Sequence, residues 1–428
     1  MRKTSTVICL ALLLCACSKK DTTTVASASD MSAVRAKLAF TCTHEADRLP
    51  PLDSNADVLF KYGRSLEKKE GPKNFDDIAR YYRIAAAFGH YKANNNLQGL
   101  LTSGLASSPD AATEAVDLAI QLIKAGVPGG YYDMGHYLEQ GYGIQQDADQ
   151  ARRYFRKAAD LGSPDAQYYV AELLAPLDKA PDIAKQMRQC ATDQGFGKAA
   201  SALGVDLKTN NNYADAIKSF QKGVEAGDSQ SASFLENGFG GQKPSAPLYY
   251  MALPYDAERS RRYGAVWEFL TDHESLNPKV PDIDQIVPLP PAKLPEWDGT
   301  FQWQKERDAA TPPPKPAESL VTKLAREKDL DPATGLPLKP AKTAEAERVP
   351  LGTTAYTKEV CPQDGVWCAK QWTYYSQEAT QHFSKGQTMP DLLLRYPRSM
   401  KMLDALLGVR ESRTPTTWSL VAYPDEAV

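Results

Sequence analysis

The chain has 428 residues, 42% hydrophobic and 24% charged, which is enough apolar material for cores in two or three domains and excludes wholesale disorder. Fifty Lys and Arg against 53 Asp and Glu leave a net charge of −3, which excludes the basic footprint of a nucleic-acid binder. Beyond residue 16 no apolar run approaches the roughly 20 residues of a spanning helix, which excludes a polytopic membrane protein.

Residues 1–16 read as a secretory signal: Arg2 and Lys3 form a basic start, and Val7 to Leu14 an apolar stretch too short to span. Its end, Leu14-Cys15-Ala16-Cys17, resembles a bacterial lipobox. The resemblance implies that the Cys17 thiol is diacylated and becomes the new N-terminus. Residues 17–50 begin with a polar, Ser- and Thr-rich stretch expected to act as a flexible tether. Ser18 directly after the cysteine implies outer-membrane sorting in lipoproteins of this kind, with the chain facing the periplasm. More than one acyl chain anchors firmly where a single chain binds only marginally.

Residues 51–240 repeat with a period of 32–37 residues. Gly89, Gly126, Gly162, Gly195 and Gly227 mark it, each suited to a left-handed position that stops a helix. Mostly small residues recur eleven before these glycines (Ile78, Ala115, Ala151, Ala184, Ala216) and four before (Ala85, Leu122, Ala158, Ala191, Gly223). Others recur four after: Ala93, Gly130, Ala166, Ala199 and Ser231. Such spacing keeps one helix face thin, so a neighbour packs close. The expected fold is mostly α: a solenoid of about five helical hairpins, then a proline-rich segment and a small α+β C-terminal module. The third unit carries Met134-Gly135, Tyr137-Leu138, Gly141, Gly143-Ile144, Asp147, Ala151, Tyr154-Phe155, Ala158-Ala159 and Gly162. It resembles the Sel-one-like repeat, a relative of the tetratricopeptide repeat, whose glycines and alanines are structural. A solenoid of this class offers a long concave surface for another protein.

Seventeen of the 30 prolines fall between Pro244 and Pro350, so residues 243–350 read as a proline-rich segment. Within it, residues 256–273 read as a helix with Tyr263, Val266, Trp267 and Leu270 on its apolar face. A short helix is expected from Ala317 to Lys328. Residues 351–428 are rich in aromatics and read as a separate module. Cys361 and Cys368 flank a short loop with Asp364-Gly365 as its turn, and a disulfide between them is expected in an oxidising compartment. The rival reading, zinc, finds only His382 nearby. Cys190 reads as a small buried residue, and Cys42 has no assigned role.

Four motifs stand in the C-terminal half: Asp284 to Pro291, Pro295 to Gly299, Cys361 to Trp367, and Gly386 to Pro390. Together they resemble an uncharacterised domain that follows Sel-like repeats in proteobacterial lipoproteins. Such proteins are similar to immunity proteins encoded beside type VI secretion phospholipase effectors. The resemblance implies a protein partner, a toxic effector that is a lipase by class, neutralised by occlusion. An envelope scaffold built on the repeats is the alternative. No metalloprotease, nucleophile-elbow, phosphate-loop or dinucleotide motif is present. No catalytic residue, metal, cofactor or small-molecule substrate is therefore expected.

Overall fold

The computed structural model describes residues 38–176, 179–338, 348–371, 377–396 and 410–423. Eleven helices follow one another from Ser54 to Phe239, consecutive ones packed together. A single helix, α1 (Ser54–Lys68), precedes five pairs: α2 (Phe75–Ala87) with α3 (Tyr91–Thr102), α4 (Ala111–Lys124) with α5 (Pro128–Gln140), α6 (Ala148–Leu161) with α7 (Pro164–Leu174), α8 (Pro181–Asp193) with α9 (Gly197–Thr209), and α10 (Tyr213–Glu225) with α11 (Ser229–Phe239). Starts are capped by side chains. Asp53, Asn74, Asp110, Asp147, Ser163 and Asp228 each accept a backbone N–H from the first turn, satisfying donors that have no partner within the helix. The first helix of every pair is followed by its glycine at positive φ, from 73° at Gly126 to 111° at Gly162.

Two size rules hold the stack together. Within a pair, the position four before the glycine meets the position four after it. A Cβ on Gly130 would lie 2.5 Å from the Leu122 Cβ, and one on Gly223 would lie 2.1 Å from the Ser231 Oγ. Between pairs, a glycine on one helix receives the aromatic of the next. A Cβ on Gly135 would lie 2.6 Å from the Phe155 ring, and one on Gly204 2.6 Å from the Phe220 ring. Gly63 faces Tyr82 in the same way at 3.0 Å. The second and fourth pairs depart from the rule: Ala119 stands at the aromatic's position in the second, and a charged residue does so in the fourth. Arg188 takes the aromatic's position and is paired with Glu172 and Asp206 on the flanking helices.

The boundary expected near residue 243 is not a break in packing. Helix α12 (Ala257–Asp272) buries Tyr263, Val266, Phe269 and Leu270 against Leu203, Phe220, Phe234 and Leu235 of the last repeats. Val280, Ile283, Ile286, Val287 and Phe301 complete this core. Trp267, expected on the apolar face, is 41% exposed. The buried stripe runs through 259, 262, 263, 266 and 270, and Trp267 lies one helical step beyond it. Further on, α13 (Ile283–Ile286), α14 (Gln302–Ala309) and α15 (Glu318–Glu327) punctuate the proline-rich stretch.

Among the described residues after 350 the regular elements are strands: β1 (Thr354–Tyr356), β2 (Gly365–Gln371), β3 (Gln377–Phe383), β4 (Leu392–Tyr396), β5 (Arg410–Thr414) and β6 (Thr417–Ala422). Four form an antiparallel sheet in the order β1-β6-β2-β3, and β4 pairs with β5. Trp367 and Trp418 are fully buried, and their indole N–H groups donate to the carbonyls of Gln363 and Pro390. This module rests on the repeats through Ile144, and Gln150 donates to the Val421 carbonyl.

The cysteine pairing differs from expectation. Cys42 is bridged to Cys190, with Cα atoms 5.6 Å apart, while Cys361 and Cys368 are buried and not joined to each other. Strand parity explains it. Cys361 packs with Trp367 and Ala369, and Cys368 stands between these two on β2, so its side chain leaves by the opposite face. The Cys361 Sγ donates to the Gln363 carbonyl at 3.1 Å.

Candidate protein-docking face

The first helix of each pair presents one residue six positions before its glycine: Arg83, Ile120, Arg156, Gln189 and Gln221. At both ends of the stack this residue captures a carbonyl from outside the repeats. Arg83 donates to the Thr334 carbonyl at 3.2 Å and to the Ser107 carbonyl at 2.8 Å, while pairing with Glu114 at 2.7 Å. One turn earlier, Arg80 donates to the Pro332 carbonyl at 2.5 Å and pairs with Glu318 of α15 at 2.6 Å. The turn from Leu330 to Pro337 thus sits on the first repeat. Gly335 is pressed close enough that a Cβ would lie 2.9 Å from the Arg80 carbonyl oxygen. At the other end, buried Gln221 donates to the Val287 carbonyl at 3.0 Å and to Asp284 at 2.8 Å, and accepts from the Tyr263 hydroxyl at 2.7 Å. Arg262 donates to the carbonyls of Ile286 and Pro295, fixing the proline-rich segment.

Between the docked turn and α2, α3 and α4 lies a cavity of about 780 Å³, with Ala86, Leu97, Leu118, Leu330 and Leu336 among its walls. In the fourth pair the equivalent residue, Gln189, is exposed and donates to Asp193 one turn on. Cavities of about 500 and 280 Å³ flank it, both lined by Lys185 and Gln189.

A strap precedes α1. The disulfide holds Cys42 to α8, Gln167 donates to the Thr43 carbonyl, and the Glu45 N–H donates to Gln194. Burial raises the Glu45 carboxyl, and Asp165 adds to the effect. Burial also pushes Asp133 up to about 7, against the pull of the Gln98 amide, with Asp165 and Glu45 adding to the rise. Next to these carboxyls an aromatic group of Tyr132, His136, Phe155 and Tyr169 packs ring to ring, Phe155 and Tyr169 at 4.4 Å.

Cys17 lies outside the described residues. Gly89, Gly126, Gly141, Gly143, Gly162, Gly195 and Gly227 all have positive φ, while Gly135, Ala151 and Ala158 are buried at helix contacts. Histidines play structural parts. The buried His90 ring accepts the Ala93 N–H at Nδ1 and donates from Nε2 to Asp57, and burial lowers its pKa. Among the described residues, Cys42, His44 and Cys190 group like metal ligands, but two of the three are spent in the disulfide. Sequence reasoning missed the strap, the docked turn and the Arg80–Arg83 pair. Two arginines three apart on a small-residue face were the only local signal, and nothing local names the carbonyls they meet.

Residues 231–338 match the family described as Domain of unknown function (DUF6396). No curated protein matches the chain. Among solved structures it is similar to Pseudomonas aeruginosa 5086, with 29% identity and a TM-score of 0.49 over 59% of this chain and 95% of that one. The immunity protein Pa5087 from Pseudomonas aeruginosa gives the same identity, TM-score and coverage. A Sel1 repeat protein from Oxalobacter formigenes is 17% identical, with a TM-score of 0.40 over 50% of this chain and 87% of that one. The matched stretch, from Ser231 to Leu338, begins inside the last repeat helix and ends on the turn that docks against the first pair.

Proposed function

We propose that the chain is an immunity protein that binds a secreted toxic effector, a membrane-attacking lipase, and neutralises it by covering its active-site mouth or membrane-docking face. The observation that carries this reading is the placement of Asp284 to Pro291 and Pro295 to Gly299, two of the four motifs that together resemble the domain of Sel-repeat lipoproteins similar to immunity proteins. Buried Gln221 of the last repeat pair and Arg259 and Arg262 of α12 bind the backbone of the first of these, so it forms one continuous surface with them. Two proteins meeting over such a surface need no turnover chemistry, and inhibition is stoichiometric. In this proposal the diacylated Cys17 holds the inhibitor on the periplasmic side of the outer membrane, which raises its local concentration where the toxin acts.

The test is a competition between sister cells. A strain lacking the protein is expected to be killed by a type VI effector delivered to its periplasm, and the purified chain to bind that effector with a Kd of about nanomolar or tighter. Cys17→Ser is expected to move the chain from the outer-membrane fraction to the soluble periplasm and weaken protection. A deletion strain that competes as well as the wild type would sink the immunity reading.

A further inference from the structure

His90 joins three helices through one imidazole. It ends the turn between α2 and α3, and its main-chain N–H donates to the Ala85 carbonyl of α2 at 3.3 Å. Its ring caps α3: Nδ1 accepts the Ala93 N–H at 3.1 Å, where the caps of α4 and α6 use the carboxylates of Asp110 and Asp147. A main-chain N–H only donates, so Nδ1 carries a lone pair and the proton of the neutral ring sits on Nε2. Nε2 meets Asp57 of α1 at 3.4 Å, and Lys61 holds the other oxygen of that carboxylate at 2.6 Å. The Phe60 ring of α1 lies against the imidazole, centroids 4.4 Å apart. His90 is 0% exposed, so no water replaces these partners while the ring is in place. Burial lowers the imidazole pKa and Lys92 of α3 adds to the fall, while Asp57 opposes it. The strap's Glu45 acts on Tyr91, the next residue. A carboxylate cap accepts at any pH near neutral, but this cap changes from acceptor to donor with one proton.

We propose that His90 is a proton-operated latch between α1 and the first repeat pair. A proton taken up at Nδ1 sets a donor against the Ala93 N–H, so the ring leaves the start of α3 and keeps Asp57 as its counter-ion. The first turn of α3 frays, and α1, which meets this ring through Asp57 and Phe60, loosens with it. Helices α6 and α7, capped by Asp147 and Ser163, keep their starts. Because the folded-state pKa is lowered, the unfolded chain takes up this proton first. The contribution to stability is whole above about pH 6.5, declines as the pH drops below it, and levels off beneath the folded-state value. The latch is independent of the immunity reading, since no partner takes part in it.

Hydrogen exchange on the full chain reads the latch directly, with wild type and His90→Asn compared at the same pH so that intrinsic exchange rates cancel. Asparagine caps a helix start and does not titrate. At pH 8 the two chains are expected to exchange alike. At pH 5 the amides of α1 and of the first turn of α3 should open about fivefold more often in wild type, the factor that one cap is worth, with α7 unchanged. Equal exchange at pH 5, or the same ratio at both pH values, overturns the latch. Nitrogen NMR of the histidine rings needs no substitution at position 90, so it decides the matter even where His90→Asn does not fold. His90 is expected as the Nε2–H tautomer at pH 8, titrating below the ordinary imidazole value. Asp57→Asn, which keeps an acceptor for Nε2–H and removes the counter-ion, should move that titration to lower pH. An Nδ1–H tautomer, or a titration that Asp57→Asn leaves in place, overturns the proposal.

Discussion

Asp133 shows how one residue in the repeat groove couples packing to pH. Its carboxyl stands beside the strap, raised to about 7 by burial and by the neighbouring Asp165 and Glu45. A carboxyl with a raised folded-state pKa holds its proton more tightly in the native chain than in the unfolded one. Stability therefore falls as pH rises from about 4 to about 7 and stays reduced above that. Asp133→Asn keeps an oxygen to accept the Gln98 amide and removes the buried charge. The expected outcome is a higher Tm than wild type at pH 8 and little difference at pH 4, read by thermal melts across that range. A difference of the same size at both ends would assign the effect to packing. Gly135 illustrates residue-scale legibility. Its place beside Met134 marks the repeat, but only the Phe155 ring against its Cα shows why no side chain fits.

At the scale of elements, the strap and the docked turn do what the repeats alone cannot. A solenoid contacts mainly nearest neighbours, so its curvature is soft. The Cys42–Cys190 bridge closes 148 residues, and constraint of the unfolded chain by so long a loop contributes about 4–5 kcal/mol in the chain-entropy model. Cys42→Ser is expected to lose most of that in denaturant melts, and reduction of the wild type should reproduce the loss. Non-reducing peptide mapping should recover Cys42 joined to Cys190, and a Cys361–Cys368 peptide would overturn the pairing. The helices themselves were legible, since glycine stops, capping Asp and Asn, and small residues at fixed spacing act within one or two turns. The expected bridge at Cys361 failed because eight residues of sequence hide strand parity. Once β2 begins at Gly365, Cys368 alternates away from the core face that holds Cys361.

Over the whole molecule, the segment after residue 242 and the last repeats share one core, so they are expected to fold as a unit. Truncation after residue 242 would open the core that holds Leu203, Phe220, Phe234, Leu235 and Phe239 together with residues of the removed segment. The fragment is expected to stay helical by circular dichroism yet melt at lower temperature and associate on gel filtration. A monomeric fragment with the full-length Tm would show the repeats to be self-sufficient. The proline-rich composition that suggested a linker reports a segment without regular structure, and its backbone is nonetheless held by buried arginines and Gln221.

By itself the sequence determined the helical hairpins, their period and their stops, because those depend on φ freedom at glycine and on side-chain size at spacings of three, four and seven. It also carried four motifs, Asp284 to Pro291, Pro295 to Gly299, Cys361 to Trp367 and Gly386 to Pro390, that together resemble a domain found after Sel-like repeats in lipoproteins. Only the tertiary structure decided which cysteines pair, where the chain after the repeats comes to rest, and which donors are spent on this chain's own carbonyls. These depend on groups far apart in sequence: Cys42 lies 148 residues from Cys190, and Arg83 lies 251 from Thr334. No local pattern encodes contacts made at that range, since they exist only once the stack has brought the two surfaces together.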